Sequence, residues 1–468
     1  MSYAILSNGV VMLSSALISL LVPAFCSVSL YGYLQLYLFY TSYLGLFNLG
    51  WLEGIYLRIG GISYDNMEAS VYKVQYRMFR CYIVLASVVC CFLSVLLVRD
   101  EMRRIMFLGV SICLIPYALT NYWNNLLLAT GRMKEYAKNC FWGRLVFLLV
   151  VIGLIVMQIY DLRGIIFADI LGKSVAFWIA RDACKNLYDR SIPSHKWRTM
   201  LSEIWTNISC GINLMIANLS GMFILGSIRM GIEYTWSIEV YSQMSLTLSV
   251  SNLLMGFISA VSQVMYTTAR RMAGEKLAEV YQILRKSMVL LLLGFLMAYY
   301  PMKEILVMLL PKYEYGLKYM AILLPMCIIE CKWSFLTLTY LKVIREEKNI
   351  LKVNLFSVLL SGGLTVIFAL ILKNLFLTVC LVIFVLFVRG MLGERILSRK
   401  LECNIKQDIV KEAVLILLFI LISWNIEHWL CMVLYAAAYL VYLMTEKKYI
   451  AMLYDKAKNY FLKKKQGV

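Results

Sequence analysis

Histidine is almost missing from this chain, because His195 and His428 are the only two among 468 residues. Two histidines leave almost no residues from which a histidine-based metal site or catalytic triad could be built. The 13 cysteines lie mostly in apolar runs, and none forms a Cys-x-x-Cys or Cys/His group with zinc spacing. The sequence also lacks a GxxxxGK(S/T) phosphate-binding loop. We expect no metal, no cofactor and no enzymatic activity.

Charged residues are scarce at 16%, whereas hydrophobic residues make up 62% of the chain and the mean hydropathy is +0.75. Soluble domains are roughly 45–50% apolar and about 25% charged. No soluble fold buries so much apolar surface. At about 20 residues per span, the chain has room for roughly a dozen or more transmembrane helices. The composition therefore predicts an all-α polytopic membrane protein and excludes a soluble enzyme.

Lys and Arg are absent from residues 1–57, so the basic region of a cleaved signal peptide is missing. We expect residues 5–26 to form a retained first span. Fourteen apolar runs predict fourteen helices, with twelve as the smaller count because the last two runs are short. The runs lie near 5–26, 31–57, 79–98, 105–129, 140–160, 164–181, 204–228, 237–266, 285–300, 317–341, 353–372, 375–397, 412–426 and 428–445.

The 46 Lys and Arg residues are unevenly divided between alternate loops. With a cytoplasmic N-terminus, the inside loops hold 33 of them and the outside loops 9, and the other four fall within spans (Arg144, Lys173, Lys332 and Arg389). This bias places both termini in the cytoplasm. It also explains the net charge of +19 without a nucleic-acid partner.

The two halves of the chain resemble each other in the loops that follow the second and eighth spans. Residues 55–80 and 264–288 both run from one tyrosine past basic residues and glycine to a second tyrosine. Six spans separate these loops, which predicts repeats of parallel orientation. The predicted parts are an N-lobe (1–182), a linker (183–203), a C-lobe (204–400), helices 13 and 14 (401–446) and a basic tail (447–468).

The second span is rich in polar side chains that a lipid-facing helix does not need. Tyr37 and Tyr40 fall at mid-depth, with Asn48, Glu53 and Arg58 closer to the cytoplasmic end. These residues suit the wall of a wet cavity that binds sugars. An interfacial aromatic belt with a snorkelling arginine is the alternative for Arg58.

Amides continue this polar character in the seventh and eighth spans. Asn213 and Gln243, together with the second span, predict a polar interior formed by the first, second, seventh and eighth helices. Hydrogen bonds between helices would also account for such amides.

Ionisable residues within spans are costly, so each is a candidate for function. Asp169 and Lys173 are four residues apart on one helix face, and we expect them to pair, as a structural ion pair or in ion coupling or gating. Glu330 and Lys332 are two apart and cannot face each other. Arg144 raises the same question of a missing partner. Glu330, Lys332 and Arg144 are therefore further candidates for ion coupling or gating, and the carboxylates of Glu53, Asp169 and Glu330 are those we would test for a proton or Na⁺.

Two segments carry a resemblance to a known family. Residues 29–67 (SLYGYLQLYLFYTSYLGLFNLGWLEGIYLRIGGISYDNM) resemble the second span and following loop of polysaccharide transporters, and residues 311–356 resemble that family's tenth-span region. These are the Wzx-type flippases for O-antigen and capsule repeat units. They form part of the multidrug/oligosaccharidyl-lipid/polysaccharide (MOP) exporter superfamily.

The resemblance implies two six-helix lobes around a central cavity, with helices 13 and 14 at the periphery. It implies that undecaprenyl-diphosphate-linked oligosaccharide moves from the cytoplasmic to the outer leaflet by alternating access. Arg58 and Arg270 occupy corresponding positions in the two repeats, where they would meet the diphosphate. It further implies a monomer in the bacterial plasma membrane, with membrane lipids, a polysaccharide polymerase and a chain-length regulator as partners.

Two other classes of protein compete with this interpretation. A cation or drug antiporter of the same superfamily would have carboxylates in its cavity, whereas this chain has an excess of cations within spans. A polymerase would need a long outside loop and an O-acetyltransferase buried histidines, and the sequence has neither.

Overall fold

The computed structural model describes residues 14, 17–185, 187, 197–251, 274–426, 429–447, 449 and 451. These residues form helices and turns, with no strand among them. Within this part of the chain, eight helices are long and apolar enough to cross a membrane. The predicted all-α fold is confirmed, and the chain is a multi-pass membrane protein whose helices satisfy their own backbone hydrogen bonds in lipid.

Residues 17–25 and 238–251 are helical. The other helices are α1 (Val28–Ser42), α2 (Trp51–Ile59), α3 (Ala69–Leu97), α4 (Glu101–Ala129), α5 (Met133–Val156), α6 (Leu162–Ala183), α7 (Trp197–Thr235), α8 (Gly274–Phe295), α9 (Tyr299–Leu309), α10 (Glu314–Lys318), α11 (Met320–Val343), α12 (Glu347–Ile371), α13 (Leu375–Lys400), α14 (Lys406–Asn425) and α15 (Leu430–Thr445).

The predicted second span, residues 31–57, is two helices rather than one. A short 3₁₀ turn, Leu44–Asn48, separates α1 from α2, and Leu49 and Gly50 have φ angles of 52° and 80°. Two successive left-handed residues cannot continue a right-handed helix. The prediction of one continuous helix is therefore wrong at this point.

The chain forms two compact units, and each unit is built from two separate stretches of the sequence. Unit 1 contains Met1–Ala260 and Lys348–Leu381, and unit 2 contains Val261–Glu347 and Val382–Val468. Unit 1 thus holds α1–α7 and nearly all of α12. Unit 2 holds α8–α11, α14, α15 and most of α13. The predicted N-lobe and C-lobe were defined by the internal repeat, whereas the two units are defined by compactness. The lobes therefore stay a prediction.

In unit 1, α2 packs against α7 at very short range. A Cβ atom at Gly54 would overlap the carbonyl oxygen of Asn207, and one at Gly211 would overlap the carbonyl oxygen of Gly50. Small residues allow two helix backbones to approach in this way, which favours association within a membrane. This close contact brings the polar residues of α2 onto α7.

In unit 2, the two C-terminal helices pack onto α8. The hydroxyl groups of Tyr435 and Tyr439 donate to the carbonyl oxygens of Leu293 and Leu290, each at 2.8 Å. Phe419 of α14 has no exposed surface. The inner faces of α14 and α15 therefore belong to the core of unit 2, and the peripheral position predicted for the last two helices stays a prediction.

Candidate functional site

Arg58 lies at the end of α2 and is anchored to α7. Its Nη1 donates to Glu203 Oε2 at 2.8 Å and to Asn207 Oδ1 at 2.6 Å. Asn207 in turn donates to Gln75 Oε1 at 2.9 Å, and Trp51 Nε1 donates to the same oxygen at 3.2 Å. Because the Arg58 and Glu203 side chains are 36% and 43% exposed, water weakens their ion pair, and the guanidinium remains open to a second anion.

Asp169 joins three helices in the interior of unit 1. Its Oδ2 accepts from the Tyr37 hydroxyl at 2.7 Å and from Lys173 Nζ at 2.5 Å, and Lys173 also donates to Cys113 Sγ at 3.1 Å. The predicted pairing of Asp169 with Lys173 is confirmed. Tyr37 is fully buried and its hydroxyl is bound to Asp169, so it holds α1 to α6 and does not face an open space.

A cavity of about 270 Å³ lies between α4, α5 and α6. Arg144 and Tyr136 line it from α5, beside Asn139, whose Nδ2 donates to Asn124 Oδ1 of α4 at 2.6 Å. The lining thus offers a guanidinium, amides and a phenol, all of which can form hydrogen bonds with an anionic or hydroxylated ligand.

The charges of this cavity do not cancel. Asp169 and Lys173 also line it and neutralise each other. Arg144 is half-buried, and no carboxylate within the described ranges forms an ion pair with it. A cation in this environment favours an anion, and guanidinium binds carboxylate or phosphate through two parallel hydrogen bonds.

Arg229 on α7 is a second half-buried arginine in unit 1. Its Nη2 donates to Tyr241 Oη at 3.1 Å and to Ser245 Oγ at 3.2 Å, and the guanidinium lies 4.9 Å from the ring centroid of Phe39. None of the acidic side chains in the described part of the chain forms an ion pair with it, because Glu233, one turn further on, pairs with Arg103 at 3.0 Å. Its neighbours hold the guanidinium in place without neutralising it.

The remaining predicted substrate-binding residues of unit 1 differ in exposure. Glu53 Oε2, Asn48 Oδ1 and Gln243 Oε1 are buried without a hydrogen-bond partner among the described residues. Asn213 is exposed, and Tyr40 packs its ring against Phe107. Buried oxygens without donors are energetically costly, so the first three are places where water or a hydroxylated ligand would be stabilised.

Arg270, the predicted counterpart of Arg58, lies outside the described residues.

Unit 2 contains a cluster of four buried charges, which we call the ionic cluster: Arg285, Lys332, Glu394 and Glu412. Arg285 binds Glu394 through two hydrogen bonds, at 2.8 and 3.1 Å, and Glu412 at 3.2 Å. Lys332 donates to Glu412 at 2.6 Å and to Glu394 at 3.3 Å. No member is more than 3% exposed. The two cations and two carboxylates balance and connect α8, α11, α13 and α14.

Glu330 points away from the ionic cluster. It accepts from Arg389 Nη1 at 2.9 Å, and that guanidinium lies 4.2 Å from the ring centroid of Trp333. Glu330 and Lys332 thus face different partners, as their spacing predicts. Of the two predicted coupling candidates in unit 2, Glu330 is thus held in an ion pair with Arg389 and Lys332 in the neutral ionic cluster.

Several important residues were not singled out from the sequence. Arg229 and Arg285 lie at the ends of apolar runs and are read there as loop cations, whereas α7 and α8 extend past them. Cys113 is read as a small hydrophobic residue, although it accepts a hydrogen bond from Lys173. The two arginines could have been recognised by extending the predicted helices beyond the ends of their apolar runs.

Across the described ranges, no group of His, Cys, Asp and Glu side chains could hold a metal ion. No protein-family model and no curated protein sequence matches the chain.

Solved structures do match, over nearly the whole chain. A multidrug-resistance MATE-family transporter of the MOP superfamily, in an inward-facing conformation, aligns with a TM-score of 0.62 over 85% of this chain and 95% of its own, at 14% identity. The lipid II flippase MurJ, in an inward closed conformation, aligns with a TM-score of 0.66 over 96% and 98%, at 12% identity. The chain has the fold of the MOP-superfamily transporters.

A third MOP transporter, from Pyrococcus furiosus, aligns with a TM-score of 0.51 over 86% of this chain and 96% of its own, at 14% identity. It is described as having a binding pocket of reverse polarity that suggests a different function. All three neighbours are transporters or flippases. At these identities they establish the MOP fold of this chain, and the substrate must be argued from its own residues.

Proposed function

We propose that the protein is a flippase for undecaprenyl-diphosphate-linked oligosaccharide, moving it by alternating access from the cytoplasmic to the outer leaflet for surface polysaccharide synthesis (O-antigen, capsule or exopolysaccharide). The observation that carries this proposal is the pair of half-buried arginines, Arg144 and Arg229, without an acidic partner in the described part of the chain. A diphosphate is the kind of anion that such groups bind. The fold shared with a lipid II flippase supports a lipid-linked substrate.

The positions of Arg58 and Arg229 support transport across the bilayer. Arg58 contacts α7 at Asn207, and Arg229 lies about 22 residues further along α7, which is roughly 33 Å at 1.5 Å per residue. The hydrocarbon core of a bilayer is about 30 Å thick. A diphosphate would therefore find a cation near each end of its path, with Arg144 as a further cation in unit 1.

The sugars would be received by polar groups of the same unit. Asn48 and Gln243 have buried oxygens without donors, and Asn213 presents an exposed amide. Sugar hydroxyls donate to such oxygens. Tyr40 would add an aromatic ring from the same unit.

Energy coupling is proposed for Glu53. Of the carboxylates considered for a proton or Na⁺, Asp169 and Glu330 are held in ion pairs. Glu53 Oε2 is buried without a hydrogen-bond partner in the described ranges, so a proton or cation there would relieve the cost of burial.

We place the protein in the bacterial plasma membrane as a monomer with both termini in the cytoplasm, working beside a polymerase and a chain-length regulator. A cation or drug antiporter remains the second candidate. It is favoured by the MATE-family neighbour and by the buried carboxyl group of Glu53.

The test is the location of lipid-linked oligosaccharide in cells that lack the protein. A periodate or lectin probe restricted to the outer leaflet is compared with total extractable glycolipid. We expect the glycolipid to accumulate out of reach, wild type to restore access, and Arg144→Gln and Arg229→Gln to restore less than a tenth of it. Arg163→Gln is the matched control, because Arg163 is 65% exposed.

Unchanged outer-leaflet glycolipid in the deletion strain would contradict the flippase proposal. If resistance to cationic dyes falls at the same time, the antiporter takes its place.

A further inference from the structure

We propose that unit 2 carries a saccharide-binding site of its own, in a cavity that runs along α9. The cavity has a volume of about 710 Å³ and is lined by residues of α9 and α10 together with Ser423, Ile426, Trp429 and Cys431. This volume lies in the range of small-molecule sites, about 300–1,000 Å³. The ionic cluster of unit 2 does not line it.

Aromatic rings supply the apolar part of this cavity. Tyr299 and Tyr300 line it from α9, Tyr315 from α10, and Trp429 from the position just before α15. Tyr315 and Trp429 are each 55% exposed, so their rings are accessible at the opening. A sugar ring has one face of C–H groups that packs on an aromatic ring, while its hydroxyls reach polar neighbours. Tyr and Trp combine these two properties in one side chain.

Hydrogen-bonding groups of both kinds surround the rings. The cavity has two ammonium groups and two carboxylates, which provide donors and acceptors without net charge, on Lys303, Glu304, Glu314 and Lys318. Tyr300 and Ser423, whose hydroxyl oxygens lie 3.0 Å apart, add two hydroxyl groups. A balanced set of this kind suits a neutral, polyhydroxylated ligand better than a phosphate, which would favour an excess of cations.

The position of the cavity agrees with a sugar ligand. Lys303 and Lys318 belong to the set of loops with few Lys and Arg residues in total, which the positive-inside rule places outside the membrane. Aromatic belts also occur at membrane surfaces, but a belt needs neither a concave cavity nor four charged side chains around it. The identity of the ligand, the oligosaccharide portion of the flipped lipid, rests on the proposed function.

Binding of lipid-free oligosaccharide tests the proposal. The probe is oligosaccharide released by mild acid from the lipid-linked pool of the producing cells, and binding to the full-length protein in detergent is followed by saturation-transfer NMR. We expect saturable binding by wild type and a Kd at least about tenfold higher for Trp429→Ala and Tyr315→Ala. Trp205→Ala, at a tryptophan that is 70% exposed on α7, is the matched control. Tyr315→Phe keeps the ring and should change the Kd less than threefold.

Absence of saturable binding by wild type, or equal binding by Trp429→Ala, would overturn the proposal. Displacement of the oligosaccharide by equimolar glycerophosphoethanolamine would also overturn it and assign the cavity to a lipid headgroup. The two hypotheses fail separately. If cells show no flipping of the glycolipid but the purified protein binds oligosaccharide in a Trp429-dependent way, only the flippase proposal fails. If cells flip the glycolipid but the protein binds no oligosaccharide, only the saccharide site fails.

Discussion

Two sets of charged residues inside the helices differ in whether their charges are balanced. The four residues of the ionic cluster neutralise one another and are almost completely buried, whereas Arg144 and Arg229 have no carboxylate in ion-pair contact among the described residues. A neutral buried cluster adds specificity to packing but is weak evidence for transport. An uncompensated arginine costs stability that a bound anion would recover. The transport hypothesis therefore concerns the second group.

The variant Lys332→Met tests whether the ionic cluster has a structural role. Removing this ammonium leaves Glu394 and Glu412 facing Arg285 alone, so we expect the free energy of unfolding to fall by about 3–5 kcal/mol. Denaturant unfolding of the detergent-solubilised protein measures it. Lys348→Met, at an exposed position, is the control and should have little effect. The double variant Lys332→Met/Glu412→Gln should recover part of the loss, and an unchanged stability for the single variant would contradict a structural role.

The variant Asp169→Asn distinguishes the two roles left open for the ion pair between Asp169 and Lys173, namely a structural role and a role in ion coupling or gating. The change leaves Lys173 and the Tyr37 hydroxyl without their charged acceptor, so we expect a loss of roughly 1–3 kcal/mol in unfolding free energy. Asp161→Asn, at an exposed carboxylate, is the matched variant. Loss of flipping with unchanged stability would instead favour ion coupling through Asp169.

At the scale of helices, the contact between α2 and α7 depends on the absence of side chains. A Cβ atom at Gly54 would overlap the backbone of Asn207, so Gly54→Ala must push the helices apart and disturb the hydrogen bond of Arg58. We expect a destabilisation of at least about 3 kcal/mol in thermal or denaturant unfolding. Gly153→Ala, a helical glycine of α5 with open space around it, should be neutral or stabilising by up to ~1 kcal/mol. Similar behaviour of the two variants would contradict the packing described.

The C-terminal helices are expected to be required for unit 2 to fold. A chain ending at Glu402 lacks Glu412 and leaves Arg285 and Lys332 with a single buried carboxylate, Glu394. Burial of an excess cation is unfavourable, so the shortened protein should aggregate or lose its cooperative melting transition. Size-exclusion chromatography in detergent measures this. A monodisperse product with the melting temperature of wild type would show that α14 and α15 are dispensable.

For the whole molecule, the distribution of Lys and Arg predicts an orientation that can be measured directly. With both termini in the cytoplasm, fluorescent-protein fusions at either end should be fluorescent and alkaline phosphatase fusions inactive. A phosphatase joined within residues 301–316 should be active, because this loop between the ninth and tenth predicted spans is predicted to lie outside. The reverse pattern would contradict the orientation and, with it, the proposed direction of transport.

The sequence by itself determined the class of protein, the helical fold and the pairing of Asp169 with Lys173, because composition, apolar run length and spacing along one helix are local properties. The partners of Arg285, Lys332 and Glu394 were decided only in the tertiary structure, since they come from four helices and no local pattern records which faces meet. The same holds for the lack of an acidic partner for Arg144 and Arg229 among the residues that the structure describes. Whether a buried charge is neutralised depends on every helix around it, and that arrangement exists only in the folded chain.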